Sequence, residues 1–397
     1  MEKEKEKEKE KEKEKEKERE KMRMMEQEHN QASQTYSNSD WIGKDLVFQP
    51  NAKDEHKMNL IINIDHILFH STKNPESNET QGESVIKCVV DESNTYYVKF
   101  RPYAATFLQS LQPLFNLILF SLYSKSYVFK LIELLDLNNN IFKQIISRES
   151  FGESLPKQQV GKPYALWNTP SHFTKIFKIS AHESLAILDD REDIWRQFRD
   201  NLISPERFTY FTKEDDENGL SSTINYPFSI QELSKQFTFP RFNASIPYLE
   251  IFSRLLISIQ NEYMSRLQET SLQQQQSADD ENNNFNQSKA VVKELRQCVL
   301  MDCNIVFSGI FPKQIDATKL HQTRIVQMAE SFGAQVHQDI TPTTTHLIFI
   351  KEGTSKVIQA VKQGQVKVVH FSWLRDSLYN WEKMNESNYS IDKVKNL

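Results

Sequence analysis

Leu60-Ile61-Ile62-Asn63-Ile64-Asp65-His66-Ile67-Leu68-Phe69-His70-Ser71 is the stretch on which the reading of this chain turns. A short apolar run breaks into polar groups at Asn63 and Asp65, as a buried parallel strand does when it delivers side chains to a site at its carboxyl end. Two further stretches repeat the pattern. Residues 115–120 form an apolar run ending at Ser121, and residues 184–188 form one that runs into Asp189-Asp190-Arg191-Glu192-Asp193. Between them, Arg101-Pro102 is expected to start a helix, since proline is favoured at a first helical position, and Phe107, Leu108 and Leu111 give it an apolar face. A second helix is expected from about Ser126, with Val128, Leu131, Leu134 and Leu135 on one face and Asn138-Asn139-Asn140 stopping it. Residues 85–90 and 96–100, around the turn-forming Asp91-Glu92-Ser93-Asn94, read as a hairpin inserted behind the first strand. Strands alternating with helices imply a parallel α/β sheet covered on both faces, with Asn63/Asp65, Ser121 and Asp189/Asp190 converging at one edge.

Outside this unit the composition changes. Glutamate and lysine alternate from residue 2 to about residue 21 and a Gln/Asn/Ser-rich run follows, so residues 1–57 read as a charged, solvated tail, disordered or a single helix, with no apolar stripe to dock. The first domain is expected over residues 58–215. Residues 216–296 keep apolar helical spacing around 248–267 but become Gln- and Asn-rich over 273–276 and 279–286, and are expected to be a partly helical linker with a flexible spacer. Residues 297–391 read as a second, smaller α/β unit. Val306-Phe307 precede Ser308-Gly309, an amphipathic helix over 325–332 closes at Gly333, and strands at 345–350 and 366–369 flank a short helix at 356–361 before Ser372-Trp373-Leu374.

A formal net charge of −5 over 397 residues gives no broad positive field, so direct nucleic-acid binding is not expected. Cys88, Cys298 and Cys303 are an odd, unclustered set and read as reduced thiols of an intracellular protein. Apolar runs such as residues 114–119 fall well short of the ~20 residues that span a bilayer, so no membrane association is expected.

Five blocks in the first unit occur in a telling order: Asn63-Ile64-Asp65, Val98-Lys99-Phe100-Arg101-Pro102, Leu119-Phe120-Ser121, Ile146-Ser147-Arg148 and Ile187-Leu188-Asp189-Asp190-Arg191-Glu192-Asp193-Ile194-Trp195. Taken singly, an Asn-x-Asp after a strand is most often a turn or cap, and residues 189–193 a solvated helix start. Together the blocks resemble the haloacid-dehalogenase phosphatase superfamily, whose first motif is Asp-x-Asp-x-Thr. The last block resembles more narrowly the TFIIF-associating phosphatases of the RNA polymerase II C-terminal domain. The resemblance implies a haloacid-dehalogenase-like parallel sheet and a Mg²⁺-dependent phosphoserine/phosphothreonine protein phosphatase. It makes Asp65 the general acid/base, gives Ser121 to the phosphate, assigns the metal to Asp65, Asp189 and Asp190, and puts the phosphate-binding lysine at Lys175, with Lys178 as the other candidate. Two positions depart from the motif. Asn63 stands where the nucleophilic aspartate belongs, and Ile67 replaces the threonine. A neutral amide lacks a carboxylate's nucleophilicity, and one carboxylate fewer weakens a site for Mg²⁺.

The second unit resembles a BRCT domain through Phe307-Ser308-Gly309, Phe332-Gly333-Ala334, Thr345-His346-Leu347-Ile348, Gly353-Thr354-Ser355-Lys356 and Trp373-Leu374. By that resemblance Ser308, the Gly309 N–H and Lys356 surround a phosphate, a lysine with neutral donors being a sound anion receptor. Without it, Ser308 is a cap, Gly309 a turn and Lys356 a solvated charge.

The expected function is that of a nuclear protein serine/threonine phosphatase homologue directed at the phosphorylated C-terminal domain of RNA polymerase II, or at other phosphoproteins, with TFIIF as a candidate partner. Asn63 makes it weak or inactive. The alternative is a non-catalytic, phosphoprotein-binding scaffold in transcription, a pseudophosphatase. A flexible spacer would let both units engage one repetitive chain.

Overall fold

The computed structural model describes residues 57–80, 84–135, 137, 141–154, 170–179, 183–212, 229–236, 247–273, 283–312 and 315–392. The charged tail, the Asn138-Asn139-Asn140 stop and residues 274–282 of the Gln/Asn-rich spacer lie outside them.

The first domain contains β1 (Met58–Asn63), β2 (Phe69–Thr72), β3 (Val85–Val89), β4 (Thr95–Phe100), β5 (Phe115–Phe120), β6 (Gln144–Ile146), β7 (Leu185–Leu188) and β8 (Leu202–Ile203). Five of these make one parallel sheet in the order β6-β5-β1-β7-β8. All six residues of β1 are buried, as a strand in the middle of a sheet covered on both faces must be. Register fixes the edge. Asn63 lies beside Phe120, and Ile62 beside Leu188, so the residues just beyond each strand, Ile64-Asp65, Ser121 and Asp189, emerge together. The expected hairpin is present as β3 and β4, antiparallel, and β2 pairs with the other edge of β4.

Phe120, Phe173, Phe177 and Trp195 pack beneath the sheet with Ile61, Ile118 and Ile187. The expected first helix is corrected at its start. It covers Ala104–Leu111, and its N-cap Tyr103 is left-handed at φ 75, so Pro102 belongs to the turn ahead of it. The Arg101 carbonyl accepts from Ala104 N in that turn. The next helix, Lys125–Leu134, begins one residue before the expected point, where the Ser124 hydroxyl accepts from Tyr127 N.

The linker reading is corrected where residues are described. Helix Tyr248–Gln273 buries Leu249, Phe252, Leu256, Ile259 and Tyr263 at alternating three- and four-residue spacing, the stripe of a helix seated on a core. Gln260 Oε1 accepts from Met58 N at the start of β1. Helix Asn283–Cys298 sets the Ser288 hydroxyl against Leu185 N of β7, and Arg296 donates to the Leu202 carbonyl over 2.6 Å. Both helices are thus built onto the first sheet. The spacing 248–267 showed one helix face, but no local pattern says against what that face packs.

The second domain is a parallel sheet of β9 (Asn304–Ser308), β10 (Gln335–His337), β11 (His346–Phe349) and β12 (Lys367–His370) in the order β10-β9-β11-β12. Trp373 is fully buried, stacks on His346 at 4.6 Å and donates from Nε1 to the Met384 carbonyl. Gly333 follows helix Arg324–Ser331 at φ 97, and a Cβ there would lie 1.9 Å from the Gln297 carbonyl oxygen. The glycine is needed for close approach as well as for the turn.

The domains touch directly. Tyr248 Oη accepts from Glu206 N and donates to the Tyr379 carbonyl, each over 2.8 Å. The Arg296 guanidinium lies 5.3 Å from the Trp381 ring centre, and Arg324 pairs with Glu192.

Candidate active site

The site begins where β1 stops. Ile64 N donates to the Phe120 carbonyl, continuing the ladder by one bond, and His66 at φ 60 then turns the chain toward β2. Asp65 is left at the sheet edge, 9% exposed. Its Oδ2 accepts from the Ser121 hydroxyl over 2.6 Å, while its buried Oδ1 has no hydrogen-bond partner among the described residues. Ser121 Oγ also accepts from Tyr123 N.

Asn63 is held at both ends of its amide. Nδ2 donates to Asp189 Oδ1 over 3.0 Å, and Oδ1 accepts from Asp65 N over 3.2 Å. Asp189 is fully buried, and besides Asn63 it accepts from Arg191 N and from Trp195 Nε1. Asp190 pairs through Oδ2 with Arg207 over 2.7 Å, and its Oδ1 is a second buried carboxylate oxygen with no hydrogen-bond partner among the described residues. Arg191 forks onto Asp193 through two bonds of 3.0 and 2.8 Å. Asn63, Asp65, His66, Tyr123, Asp190, Arg191 and Arg207 line a cavity of about 20 Å³.

Burial is the largest influence on the Asp65 carboxyl and pushes it up to about 7, with Asp189 and Asp190 adding to the rise and the Ser121 hydrogen bond opposing it. An acid that titrates near neutrality suits proton transfer to a leaving hydroxyl. Burial, then Asp190, raises Asp189 as well. His66 is driven well below its ordinary value, first by burial and then by Arg207, and its Nδ1 lies 3.1 Å from the Phe208 carbonyl oxygen.

The residues expected at the sheet edge are therefore brought together: Asn63, Asp65, Ser121, Asp189 and Asp190. Their surroundings differ. Asp189 is taken up by three protein donors and does not line the cavity, whereas Asp190 does. The lysine assignment is corrected. Lys175 and Lys178 are exposed and neither lines the cavity. Phe173 and Phe177 point helix Pro170–Phe177 into the core, and Lys175, about 200° around the axis from each, points away. Two arginines line the cavity, Arg191, which is forked onto Asp193, and Arg207. Arg207 follows a strand of two residues, too short to carry any periodic signal, and that is why the sequence did not single it out.

Among the described residues no group of three His, Cys, Asp or Glu side chains is gathered to hold a metal ion. Asp65 and Asp190 do line one cavity, and each has a buried carboxylate oxygen without a hydrogen-bond partner among the described residues. That donor set fits Mg²⁺, which takes one or two carboxylates and keeps its remaining positions for water or phosphate.

In the second domain, Ser308 Oγ lies 2.6 Å from Thr354 Oγ1, and Thr354 caps helix Ser355–Gln363. Gly309, at φ 77, stands against the Lys351 backbone. Lys356, expected beside Ser308 and Gly309, is not an open charge. It pairs with Asp339 over 3.0 Å and donates to the Gln338 carbonyl.

Comparison with known proteins agrees with this geometry. Residues 58–237 match the family model of the NLI interacting factor-like phosphatases, and residues 299–378 that of the BRCA1 C-terminal (BRCT) domain. The chain carries an NLI interacting factor-like phosphatase domain followed by a BRCT domain. The phosphatase domain has the haloacid-dehalogenase-like parallel sheet. Relatives include an RNA polymerase II C-terminal domain phosphatase of Caenorhabditis elegans, 24% identical over 359 residues that cover 89% of this chain and 49% of that protein. The Schizosaccharomyces pombe protein of the same name is 23% identical, over 85% of this chain and 58% of its own length. The chain thus spans about half the length of these relatives. Among solved structures, that of the fission yeast RNA polymerase II CTD phosphatase Fcp1 bound to beryllium fluoride matches 85% of this chain and 96% of its own, with a TM-score of 0.59 at 23% identity, and shares the fold.

Proposed function

We propose that the phosphatase domain receives phosphoserine or phosphothreonine of the phosphorylated RNA polymerase II C-terminal domain and turns it over weakly or not at all. The observation that carries this reading is the Asn63 amide, fixed by Asp189 and by Asp65 N where the nucleophilic carboxylate of the family belongs. An amide oxygen so placed is a poor nucleophile for phosphorus. Two parts of a phosphate site line the cavity, Arg207 as counter-charge and Asp65 as an acid for the leaving hydroxyl, and Ser121 holds the Asp65 carboxyl from behind. Mg²⁺ held by Asp65 and Asp190 would offset the charge of the phosphate oxygens. Residues flanking the phosphoserine have room in a cavity of about 390 Å³ between the domains, lined by Arg101, Phe208, Tyr248, Asp376 and Tyr379, which shares Arg207 with the site.

The same retained groups support a second reading, a scaffold that holds phosphoproteins without turnover. The likeness to polymerase II phosphatases supports a nuclear address and phosphoproteins as ligands, and TFIIF is the candidate partner of that reading. Hydrolysis of a phosphoserine peptide by the purified chain with Mg²⁺, measured beside Asn63→Asp, decides between them. Robust wild-type turnover that is lost in Asp65→Asn would overturn the weak-enzyme reading, and unchanged inactivity in Asn63→Asp would favour the scaffold.

A further inference from the structure

The groups around Asn63 are arranged to act on Asn63 itself. Its amide carbonyl receives the Asp65 backbone N–H, a donor aimed at the oxygen on which charge develops when a nucleophile adds to the carbon. The cavity of about 20 Å³ beside it has the volume of a single water. Asp65 and Asp190 line that cavity, and each keeps a buried carboxylate oxygen without a hydrogen-bond partner among the described residues, so either carboxylate is at hand to accept such a water's proton. Asp189 Oδ1 touches the amide nitrogen at 3.0 Å.

We propose that Asn63 is a self-modification site, hydrolysed in the folded protein to aspartate, which supplies the nucleophile the sequence lacks. The inference rests on the reading of position 63 as the nucleophile position. Water adds to Asn63 Cγ as a carboxylate of Asp65 or Asp190 takes its proton. The tetrahedral adduct then collapses with cleavage of the Cγ–Nδ2 bond, the nitrogen regains a proton from the carboxyl network, and ammonia leaves. The new carboxylic acid gives its proton to the ammonia, so that one amide and one water become one carboxylate and one ammonium ion. No oxidant or reductant enters.

The common alternative, attack of the next backbone nitrogen on Cγ to form a succinimide, is closed here. Ile64 N is committed to the Phe120 carbonyl at 3.0 Å within the sheet ladder, and Ile64 is β-branched and 3% exposed. The route therefore leaves a signature, normal aspartate with no isoaspartate. The carboxylate it creates, a fourth beside Asp65, Asp189 and Asp190, would crowd Asp189, and Arg191 and Arg207 are at hand to offset that charge.

The test follows the full-length chain over days in buffered H₂¹⁸O, reading the peptide that contains Asn63 by mass spectrometry and assaying phosphoserine hydrolysis in the same samples. Conversion appears as one ¹⁸O incorporated at residue 63, without isoaspartate, and activity rises in proportion to the converted fraction. In urea-unfolded chain the rate at Asn63 falls at least about tenfold, while Asn218, which Gly219 follows in the sequence, serves as an internal clock. Asp65→Asn slows conversion in the folded chain, with circular dichroism confirming the fold. No conversion at Asn63 while Asn218 converts, equal rates folded and unfolded, or isoaspartate as the main product would each overturn the proposal. Activity of Asn63→Asp in that event would leave the phosphatase reading standing and remove only self-conversion.

Discussion

Asn63 Nδ2 donates to Asp189 Oδ1 over 3.0 Å across the boundary between β1 and β7, so the residue that departs from the family motif is bonded to a carboxylate that keeps it. The amide is a complementary fit to Asp189. A carboxylate in its place would set two anions face to face in a buried pocket.

Asn63→Asp should therefore gain turnover and lose stability. Phosphoserine hydrolysis with Mg²⁺ should rise by about 10²-fold or more in kcat/KM. Without metal, urea unfolding should show a loss of about 1–3 kcal/mol from the uncompensated buried charge, recovered as Mg²⁺ is added. A variant as stable as wild type in the presence of chelator would contradict this picture.

The Asp65 carboxyl titrates near 7 in the folded protein against an ordinary 3.8, because of burial first. The folded chain therefore keeps a proton that the unfolded chain releases between about pH 4 and pH 7. This contribution to stability is fully present below about pH 4 and is lost as pH rises through 7, by at most about 4 kcal/mol. Asp189 moves in the same direction. With chelator present, the difference in unfolding free energy between wild type and Asp65→Asn should shrink toward zero or reverse from about pH 4 to about pH 7.5. A pH-independent difference would rule out the buried acid.

Gly333→Ala should destabilise the chain by about 2–4 kcal/mol, because the added methyl meets the Gln297 carbonyl at 1.9 Å and the backbone is at φ 97. Thermal unfolding checks it. A loss below about 1 kcal/mol would mean the helix Asn283–Cys298 can withdraw freely from the turn.

Lys356→Ala should change phosphopeptide affinity little, since Lys356 is already neutralised by Asp339. Asp339→Ala should strengthen binding in the wild-type background, by freeing the lysine for phosphate. Titration calorimetry with a phosphoserine peptide and its unphosphorylated twin reads both.

The three strand ends were legible because each is a short apolar run that stops at a polar residue, and the register of a parallel sheet then aligns them. The partners of those ends were not. Arg207 reaches Asp190 from 17 positions downstream, and motif order points to Lys175 although its helix turns that residue away from the site. The helix Tyr248–Gln273 was visible as a helix. Its seat against β1 depends on Gln260 reaching Met58 N across 202 positions, which no window of local sequence contains.

Helix Asn283–Cys298 is bonded to β7 through Ser288 and to the strand beyond it through Arg296, while its last turn passes under Gly333 and beside Trp381. A cloning border at residue 297 would cut through this shared beam, leaving a BRCT fragment with a bared tryptophan and a phosphatase fragment with a frayed end. For binding work on the C-terminal module, fragments that keep the whole beam should stay dispersed in solution where shorter ones clump.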